Sequence, residues 1–398
     1  MMKGVWLWQQ NIIDFGAEKV IAYLKRAGFT DVFFLTKGLN GKAAFLSSIC
    51  PHASERDLLR ELIDSAHASG IRVHAWFTSA SDEHYKSLHP ESGRCHFKKG
   101  KDRGLISLKN ADYLSYLKKI IKEMLLNYSV DGVHLDYIRY NHMLYGWDEN
   151  DLWAYHKEGA DIDLLKRYIE KAFYSDESPE FLFDAYKNGD KTLRAFANAR
   201  RSDVTSFAEQ IYSMIRKDHP EVMLSAAVMP EGAYASHEFS DLHYGQNYED
   251  LSKMCDFLLP MAYSKAYDKT SDWVRSICEE TAERGIQTLI GIQAYDNFSS
   301  SLLHKDLCAL KDTKSMGFCL FREGAFALAF SEDDGITIVN PLDFSLSSFE
   351  LVYDSYSETI SASLPRGGEM HLSVEHMPEY IRGFDDNGEI CVYFANDK

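Results

Sequence analysis

At residues 130–140 the chain reads Val-Asp-Gly-Val-His-Leu-Asp-Tyr-Ile-Arg-Tyr, an apolar strand pattern that ends in ionisable and aromatic side chains. A parallel strand that is buried on both faces reads as a nearly continuous apolar run, so its charges are confined to its ends. Asp136 interrupts this run near its C-terminal end. Ligands of parallel sheets and of (β/α)₈ barrels bind at the C-terminal ends of the strands. The stretch therefore predicts a parallel-strand fold and a functional carboxylate at Asp136.

Apolar strand-like runs alternate with helical patterns over most of the chain, which is typical of repeated βα units and a parallel sheet. No glycine-rich phosphate loop follows the first run, so a TIM (β/α)₈ barrel is favoured over a doubly wound nucleotide-binding fold. The helical patterns lie at residues 17–27, 55–69, 112–127, 203–217, 271–284 and 302–311. Eight strands are predicted at residues 3–8, 31–36, 72–78, 132–138, 223–229, 257–263, 288–295 and 317–322.

The domain organisation follows from where this alternation is interrupted. Residues 1–330 are predicted to form the catalytic barrel. Residues 141–200 form a long aromatic and charged insertion after the fourth strand, which we expect to lie over the barrel mouth and to shape a substrate cleft. Residues 331–398 show short alternating runs between turn residues and are predicted to form a small antiparallel, all-β module.

The composition restricts the classes of partner. A net charge of -17, spread along the chain, argues against binding to nucleic acid or to an anionic membrane surface. No apolar stretch approaches the ~20 residues that cross a bilayer. The 23 tyrosines, 23 phenylalanines and 6 tryptophans exceed what a core needs and favour a carbohydrate partner that stacks on aromatic rings. The first residues lack a secretory signal pattern, so a cytoplasmic location is expected, or a secreted or periplasmic one if a signal peptide was removed.

Four carboxylates lie at the C-terminal ends of predicted strands: Asp136, Glu231, Asp296 and Glu323. Hydrolysis of a glycosidic bond needs one carboxylic acid to protonate the leaving oxygen and a second carboxylate to attack the anomeric carbon or to activate water. Each acid also has a structural alternative. Asp136 could pair with a cation such as Arg139, Glu231 could be an exposed loop acid, Asp296 could cap the next helix, and Glu323 could pair with Arg322.

Aromatic and polar residues at the same strand ends are candidates for binding the sugar. They are Trp8, His74, Trp76, His134, Arg139, Tyr263, Gln293 and Tyr295. Strand alternation places His134 on the same face as Asp136, so both are expected at the barrel mouth. The histidines form no HxH or HExxH pattern and the seven cysteines form no CxxC pair, so neither a metal site nor a cofactor is predicted.

Residues 131–140 resemble the DGxHxDYIRYP signature of the glycosyl-hydrolase-10-like family of bacterial glycoside hydrolases. Residues 4–8, 200–205, 256–263 and 289–295 are similar to further segments of that family, and the resemblance covers roughly residues 3–325. Asn141 stands where proline often closes the signature. The resemblance implies a TIM barrel that acts on carbohydrate, with Asp136 as the first catalytic candidate.

The leading hypothesis is a glycoside hydrolase that cleaves glycosidic bonds of an oligo- or polysaccharide by two-carboxylate acid/base catalysis. Asp136 would act with one of Glu231, Asp296 or Glu323. The alternative from a different class is a non-catalytic glycan-binding protein on a TIM-barrel scaffold. Transglycosylation by the same carboxylates is a third possibility, if the cleft excludes water.

Overall fold

The computed structural model describes residues 1–296, 298–332 and 334–396. The helices within these residues are α1 (Gln9–Phe15), α2 (Ala17–Arg26), α3 (Leu58–Ala68), α4 (Glu83–Leu88), α5 (Ala111–Asn127), α6 (Glu149–Lys157), α7 (Ile162–Tyr174), α8 (Glu180–Lys187), α9 (Lys191–Asp218), α10 (Glu238–His243), α11 (Tyr248–Ser252), α12 (Ser271–Glu283) and α13 (Ser300–Ala309), with short 3₁₀ turns at Pro90–Ser92 and Pro230–Ala233. The strands are β1 (Met2–Leu7), β2 (Asp31–Lys37), β3 (Arg72–Thr78), β4 (Gly93–His96), β5 (Gly100–Ile106), β6 (Gly132–Asp136), β7 (Met223–Val228), β8 (Phe257–Ala262), β9 (Ile290–Gln293), β10 (Gly317–Phe321), β11 (Ala327–Glu332), β12 (Gly335–Val339), β13 (Leu346–Val352), β14 (Ser357–Leu364), β15 (Glu369–Leu372), β16 (Tyr380–Asp385) and β17 (Gly388–Ala395).

Eight parallel strands close into a barrel in the order β1-β10-β9-β8-β7-β6-β3-β2, which confirms the predicted TIM barrel. Pairing of β1 with β10, where Met2 lies opposite Gly317, closes the ring. The predicted strand at residues 72–78 coincides with β3, and the other seven overlap their predicted positions. Glycines end the helices before β2, β3 and β9, because Gly28, Gly70 and Gly285 adopt positive φ angles of 75°, 69° and 69°.

The barrel interior is packed with aromatic rings. The side chains that alternate inward from the strands form one buried cluster that includes Trp6, Phe33, Trp76 and Phe257. The ring of Trp6 lies 6.0 Å from that of Phe33 and 6.5 Å from that of Trp76. Rings therefore fill the lower part of the barrel.

Two histidines predicted at the mouth belong to this packed interior. His74 lies opposite Gly132, accepts or donates one hydrogen bond with Asp31 at 2.8 Å, and stacks on Phe33 at 4.4 Å. His134 lies opposite Trp76 and bonds the Ser225 hydroxyl at 2.9 Å. Neither side chain has solvent exposure. This corrects their predicted place, because strand alternation fixes the face of a residue but not its depth.

His74, in the packed interior of the barrel, requires a glycine beside it. A Cβ atom added to Gly132 would lie 2.2 Å from Nδ1 of His74, whose ring is already fixed by Asp31 and Phe33. The absence of a side chain at Gly132 thus leaves room for the His74 imidazole beside β6.

We predict that Gly132→Ala lowers the free energy of unfolding by about 1–3 kcal/mol, as overpacking of a rigid core does. Chemical denaturation measures this change. The matched control is Gly104→Ala, where the new Cβ would meet its nearest neighbour, Oγ of Ser81, at an ordinary 3.8 Å. Equal stability losses in the two variants would contradict the steric explanation.

The C-terminal strands form a second sheet in the order β14-β13-β16-β17-β11-β12-β15. The strands within residues 331–398 pair antiparallel, as predicted, but β17 also lies parallel to residues 327–330 of β11, which the sequence assigns to the barrel. The first strand of this sheet, β11, begins at Ala327. The ring of Tyr393 on β17 packs 5.1 Å from that of Phe29, and Arg26 bonds Glu332 and Glu369 at 2.8 Å each, so the sheet is fastened to the barrel beside α2.

The insertion after the fourth barrel strand is helical and has its own apolar core. Helices α6, α7, α8 and the first turns of α9 surround Trp147, Tyr155 and Phe196. The predicted helix at residues 203–217 is the C-terminal part of α9, a single helix of 28 residues. Among the helices of the described residues, none has both the length and the apolar character that crossing a bilayer requires.

Candidate active site

A cavity of about 210 Å³ opens at the C-terminal end of the barrel, beside Asp136. Its walls are largely aromatic. Four of the predicted sugar-binding residues line it, namely Trp8, Trp76, Arg139 and Tyr263. Further walls that the sequence did not single out for this role are Trp6, Leu35, Leu39, Thr78, Tyr137, Met261 and Phe321. Apolar walls with a few placed polar groups are typical of a small-molecule site.

Asp136 is the last residue of β6, and three donors hold its carboxylate. Nε1 of Trp76 donates to Oδ2 at 3.2 Å, and the backbone N–H of Tyr137 donates to Oδ1 at 2.7 Å. The Arg139 guanidinium lies 3.4 Å from Oδ1, so the pairing considered as a structural alternative is present. The carboxylate is 7% exposed and faces the cavity. Asp136 is therefore paired with Arg139 and still accessible from the cavity.

The backbone after Asp136 turns sharply and directs Arg139 back towards it. Tyr137 has a φ of 59°, in the left-handed region that residues with a Cβ rarely adopt. The Arg139 guanidinium lies over the Tyr137 ring at 4.7 Å and is only 12% exposed. Such backbone conformations persist where the surroundings enforce them and are concentrated at functional sites.

Glu231 lies on the 3₁₀ turn that follows β7. Burial raises the pKa of Glu231, and hydrogen bonds from its own backbone N–H and from two tyrosine hydroxyls, with the Arg139 charge, oppose this rise only in part. The hydroxyl of Tyr244 lies 3.4 Å from Oε1 and that of Tyr267 lies 3.5 Å from Oε2. A partly buried carboxyl with a raised pKa is suited to donate a proton.

Asp296 lies on the exposed rim, with a φ of 55°. Its backbone carbonyl accepts a hydrogen bond from Nζ of Lys265 at 3.0 Å. It does not cap the following helix, because the side chain of Ser299 accepts from the N–H of Leu302 at the start of α13.

Glu323 points away from the cavity, into the layer between the barrel and α2. Its carboxylate is fully buried and accepts a hydrogen bond from the hydroxyl of Tyr23, and its Oε2 has no hydrogen-bond partner among the described residues. Burial raises the pKa of Glu323 to about 7. Arg322, the partner considered from the sequence, stacks its guanidinium on the Trp8 ring at 3.6 Å.

Two remaining candidates shape the loops around the cavity. Oε1 of Gln293 accepts from the N–H of Ala266 at 3.0 Å, and its Nε2 donates to the carbonyl of Tyr295 at 3.3 Å. This side chain is 2% exposed, is not among the residues that line the cavity, and joins two loops. The Tyr295 ring packs 5.8 Å from that of Tyr263, a wall of the cavity.

The insertion contributes no wall to this cavity, whose lining residues all lie outside residues 141–200. Its core instead includes Leu242 of α10, and Arg200 of α9 donates to the carbonyls of His142, Tyr145 and His243. The predicted cleft-shaping role thus finds no support at the cavity itself. Within the described residues, no group of three or more histidines, cysteines or acids is placed to hold a metal ion.

The sequence model of the family described as glycosyl hydrolase-like 10 matches residues 1–283. The chain belongs to this family. Among curated proteins, none matches the chain. The match includes the 130–140 stretch, β7 and the loop that carries Glu231, so the cavity of this glycosyl hydrolase-like protein lies largely within the matched part.

Solved structures of glycosidases share the fold. The glycoside hydrolase domain of PgaB (BpsB) from Bordetella bronchiseptica aligns with a TM-score of 0.64 at 13% identity, over 81% of this chain and 94% of that one. The catalytic domain of a β-amylase from Paenibacillus polymyxa aligns with a TM-score of 0.57 at 12% identity, over 81% and 92%. A β-galactosidase from Marinomonas ef1 aligns with a TM-score of 0.58 at 14% identity, over 81% and 54%. At these identities the likeness concerns the fold alone.

The buried carboxyl of Glu323 predicts a pH-dependent stability. Because its pKa rises from 4.5 to about 7 on folding, the folded protein holds this proton more tightly than the unfolded chain, and stability decreases as pH rises through this interval. We predict that the free energy of unfolding of the wild type decreases by about 3 kcal/mol between about pH 4 and pH 8, relative to that of Glu323→Gln. Urea unfolding at both pH values measures the difference, and parallel pH dependences in the two proteins would contradict the assignment.

Proposed function

We propose that this protein hydrolyses glycosidic bonds of an oligo- or polysaccharide, with Asp136 and Glu231 as the catalytic pair. The observation that carries the proposal is the placement of Asp136 at the edge of the cavity, where Trp76, Tyr137 and Arg139 hold its carboxylate. Membership of the glycosyl hydrolase-like family supports the same reaction class.

Glu231 is assigned as the general acid. Its pKa is raised by burial, so its carboxyl keeps a proton to higher pH than an exposed glutamate does. In the reaction the proton passes to the glycosidic oxygen while the bond from that oxygen to the anomeric carbon breaks. The hydroxyls of Tyr244 and Tyr267 hold the carboxyl in place from both of its oxygens.

Asp136 is assigned as the carboxylate that acts at the anomeric carbon, as nucleophile or as general base. Donors from Trp76, Tyr137 and Arg139 orient its oxygens at the edge of the cavity. It then either attacks the anomeric carbon or takes a proton from the attacking water, and the anomeric configuration of the product distinguishes these two courses. The aromatic walls from Trp8, Trp76 and Tyr263 would contact the apolar faces of the sugar ring.

A glycan panel tests the pair directly. We predict that Asp136→Asn and Glu231→Gln each lower the release of reducing sugar about a thousandfold, the scale of a lost acid or base. Asp296→Asn, on the exposed rim, is the matched acid-to-amide control and is expected to keep activity near that of wild type. Full turnover by Asp136→Asn would refute the assignment. Binding of a glycan without turnover by wild type would instead support the non-catalytic alternative.

The pH profile tests the role of Glu231. The Tyr267 hydroxyl lowers the pKa of Glu231, so its removal in Tyr267→Phe raises that pKa further. Because a general acid works only while protonated, we predict that the alkaline limb of the activity profile moves to higher pH. Tyr295→Phe serves as the control, because the Tyr295 ring contacts that of Tyr263. The alkaline limb of its activity profile should stay in place. An alkaline limb that stays in place in Tyr267→Phe would argue against Glu231 as the acid.

A further inference from the structure

Two buried arginines contact one tyrosine ring behind the candidate site. Tyr140 is the last residue of the 130–140 stretch. The Cζ atom of Arg200 lies 3.8 Å from the centre of its ring, and that of Arg94 lies 5.1 Å from it. All three side chains are buried, and none of them lines the cavity. We call Arg94, Tyr140 and Arg200 the arginine clamp.

Arg94 holds the chain on both sides of Tyr140. It lies on β4, and its Nη1 donates to the carbonyl of Arg139 at 2.7 Å and to Oδ1 of Asn141 at 2.9 Å. Its Nη2 donates to the carbonyl of Ile106, the last residue of β5, at 2.9 Å. Asn141, which stands where proline often closes the family signature, thus supplies one of the acceptors. The hairpin of β4 and β5 is thereby joined to the end of the signature.

Arg200 holds the backbone that leads to a hydrogen-bond partner of Glu231. Its Nη2 donates to the carbonyl of His243 at 2.7 Å. The carbonyl of the next residue, Tyr244, accepts from the N–H of Tyr140 at 2.9 Å. The hydroxyl of Tyr244 in turn lies 3.4 Å from Oε1 of Glu231. The arginine clamp is therefore also connected to the surroundings of the candidate general acid.

The charges of the two arginines are buried without an ion pair. Within the described residues, the donors of Arg94 and Arg200 bind backbone carbonyls and the side-chain amide of Asn141, and no carboxylate pairs with them. Burying a charge costs free energy unless hydrogen bonds replace the lost water. The planar fork of a guanidinium holds several acceptors at fixed angles, which a lysine ammonium does not. Each arginine therefore fixes the conformation of the backbone that it binds.

Acids on two helices fix the hydroxyl of Tyr140. It donates to Oδ2 of Asp203 on α9 at 2.8 Å, and Oδ1 of Asp151 on α6 lies 3.4 Å from it. The ammonium of Lys109 pairs with Asp203 and lies 3.8 Å from Asp151. Asp203 belongs to the segment 200–205, which is similar to a segment of the family, as the signature is. Two segments of this kind therefore meet at one tyrosine.

We propose that the arginine clamp positions Arg139 at Asp136, so that Arg94 and Arg200 are positioning residues of the candidate site although neither lines the cavity. The observation that carries this inference is the donor of Arg94 at the carbonyl of Arg139 itself. The left-handed turn at Tyr137 needs such support, because strained backbone persists only where its surroundings enforce it. The effect on turnover rests on the proposed function, whereas the placement of Arg139 does not.

The kinetics of Arg94→Lys test the clamp on the glycan that the wild type hydrolyses fastest. Lysine keeps the charge but lacks the planar fork, so the backbone at Arg139 loses its fixed position. We expect kcat to fall about tenfold, as a small misplacement at a reacting group does, and KM to stay within about twofold because the cavity walls are untouched. A merely structural role would lower the melting temperature and leave kcat of the folded protein unchanged.

Arg216→Lys is the control. Arg216 also lies on α9 and donates to a backbone carbonyl, that of Pro220 at 3.1 Å, but it does so before β7, at the end of the barrel opposite the mouth. This variant should keep both kcat and KM. A double variant shows whether Arg94 acts through Arg139, because adding Arg94→Lys to Arg139→Met should then lower kcat no further. Multiplication of the two separate effects would overturn the clamp.

Crystal structures locate Arg139 without any turnover. In Arg94→Lys its guanidinium should leave Oδ1 of Asp136, and in Arg216→Lys it should stay at about 3.4 Å. Tyr140→Phe, which keeps the ring and removes its hydroxyl, takes the place of Arg94→Lys if that variant does not fold. An Arg139 that stays paired with Asp136 in the clamp variant would overturn the proposal.

The two proposals fail in different ways. A displaced Arg139 in Arg94→Lys, combined with no turnover of any glycan by wild type, keeps the clamp and removes the hydrolase. Turnover by wild type that Asp136→Asn abolishes and Arg94→Lys leaves at full kcat keeps the hydrolase and removes the clamp.

Discussion

One hydrogen bond, from the Trp76 indole to the carboxylate of Asp136, joins the packed interior of the barrel to the cavity above it. Below this bond the barrel is filled by Phe33, Phe257 and the two buried histidines. Above it the strands end and loops of unequal length begin. The packed interior of the barrel thus sets the position of the carboxylate, which is how a scaffold holds a reacting group in place.

The electrostatics of the barrel mouth depend on where Arg139 lies. Arg139 is brought back over the strand end by the left-handed turn at Tyr137, and its charge reaches both Asp136 and Glu231. Burial nevertheless dominates at Glu231 and raises its pKa. Two carboxylates with different surroundings are the arrangement that separates an acid from a base or nucleophile. Glu323, although its pKa is also raised, is bonded to Tyr23 behind the barrel wall and serves the packing of α2.

Much of this could be predicted from the sequence, and the errors have physical causes. Asp136 was recognisable because one charge in an apolar strand must lie at an end. His134 was misplaced because period-two alternation says nothing of depth. The sequence does not single out Tyr244, at the end of α10, or Tyr267, shortly after β8, because only tertiary packing brings their hydroxyls to Glu231. The parallel pairing of β17 with β11 was invisible because local alternation does not encode which strand a returning segment joins.

The most direct test is a crystal structure of Asp136→Asn with a bound oligosaccharide. The glycosidic oxygen should lie within hydrogen-bonding distance of the Glu231 carboxyl, and the anomeric carbon of the same bond should face residue 136 at the edge of the cavity. A sugar chain whose glycosidic oxygen instead meets Asp296, or one bound away from the cavity, would contradict the assignment of Asp136 and Glu231 as the pair.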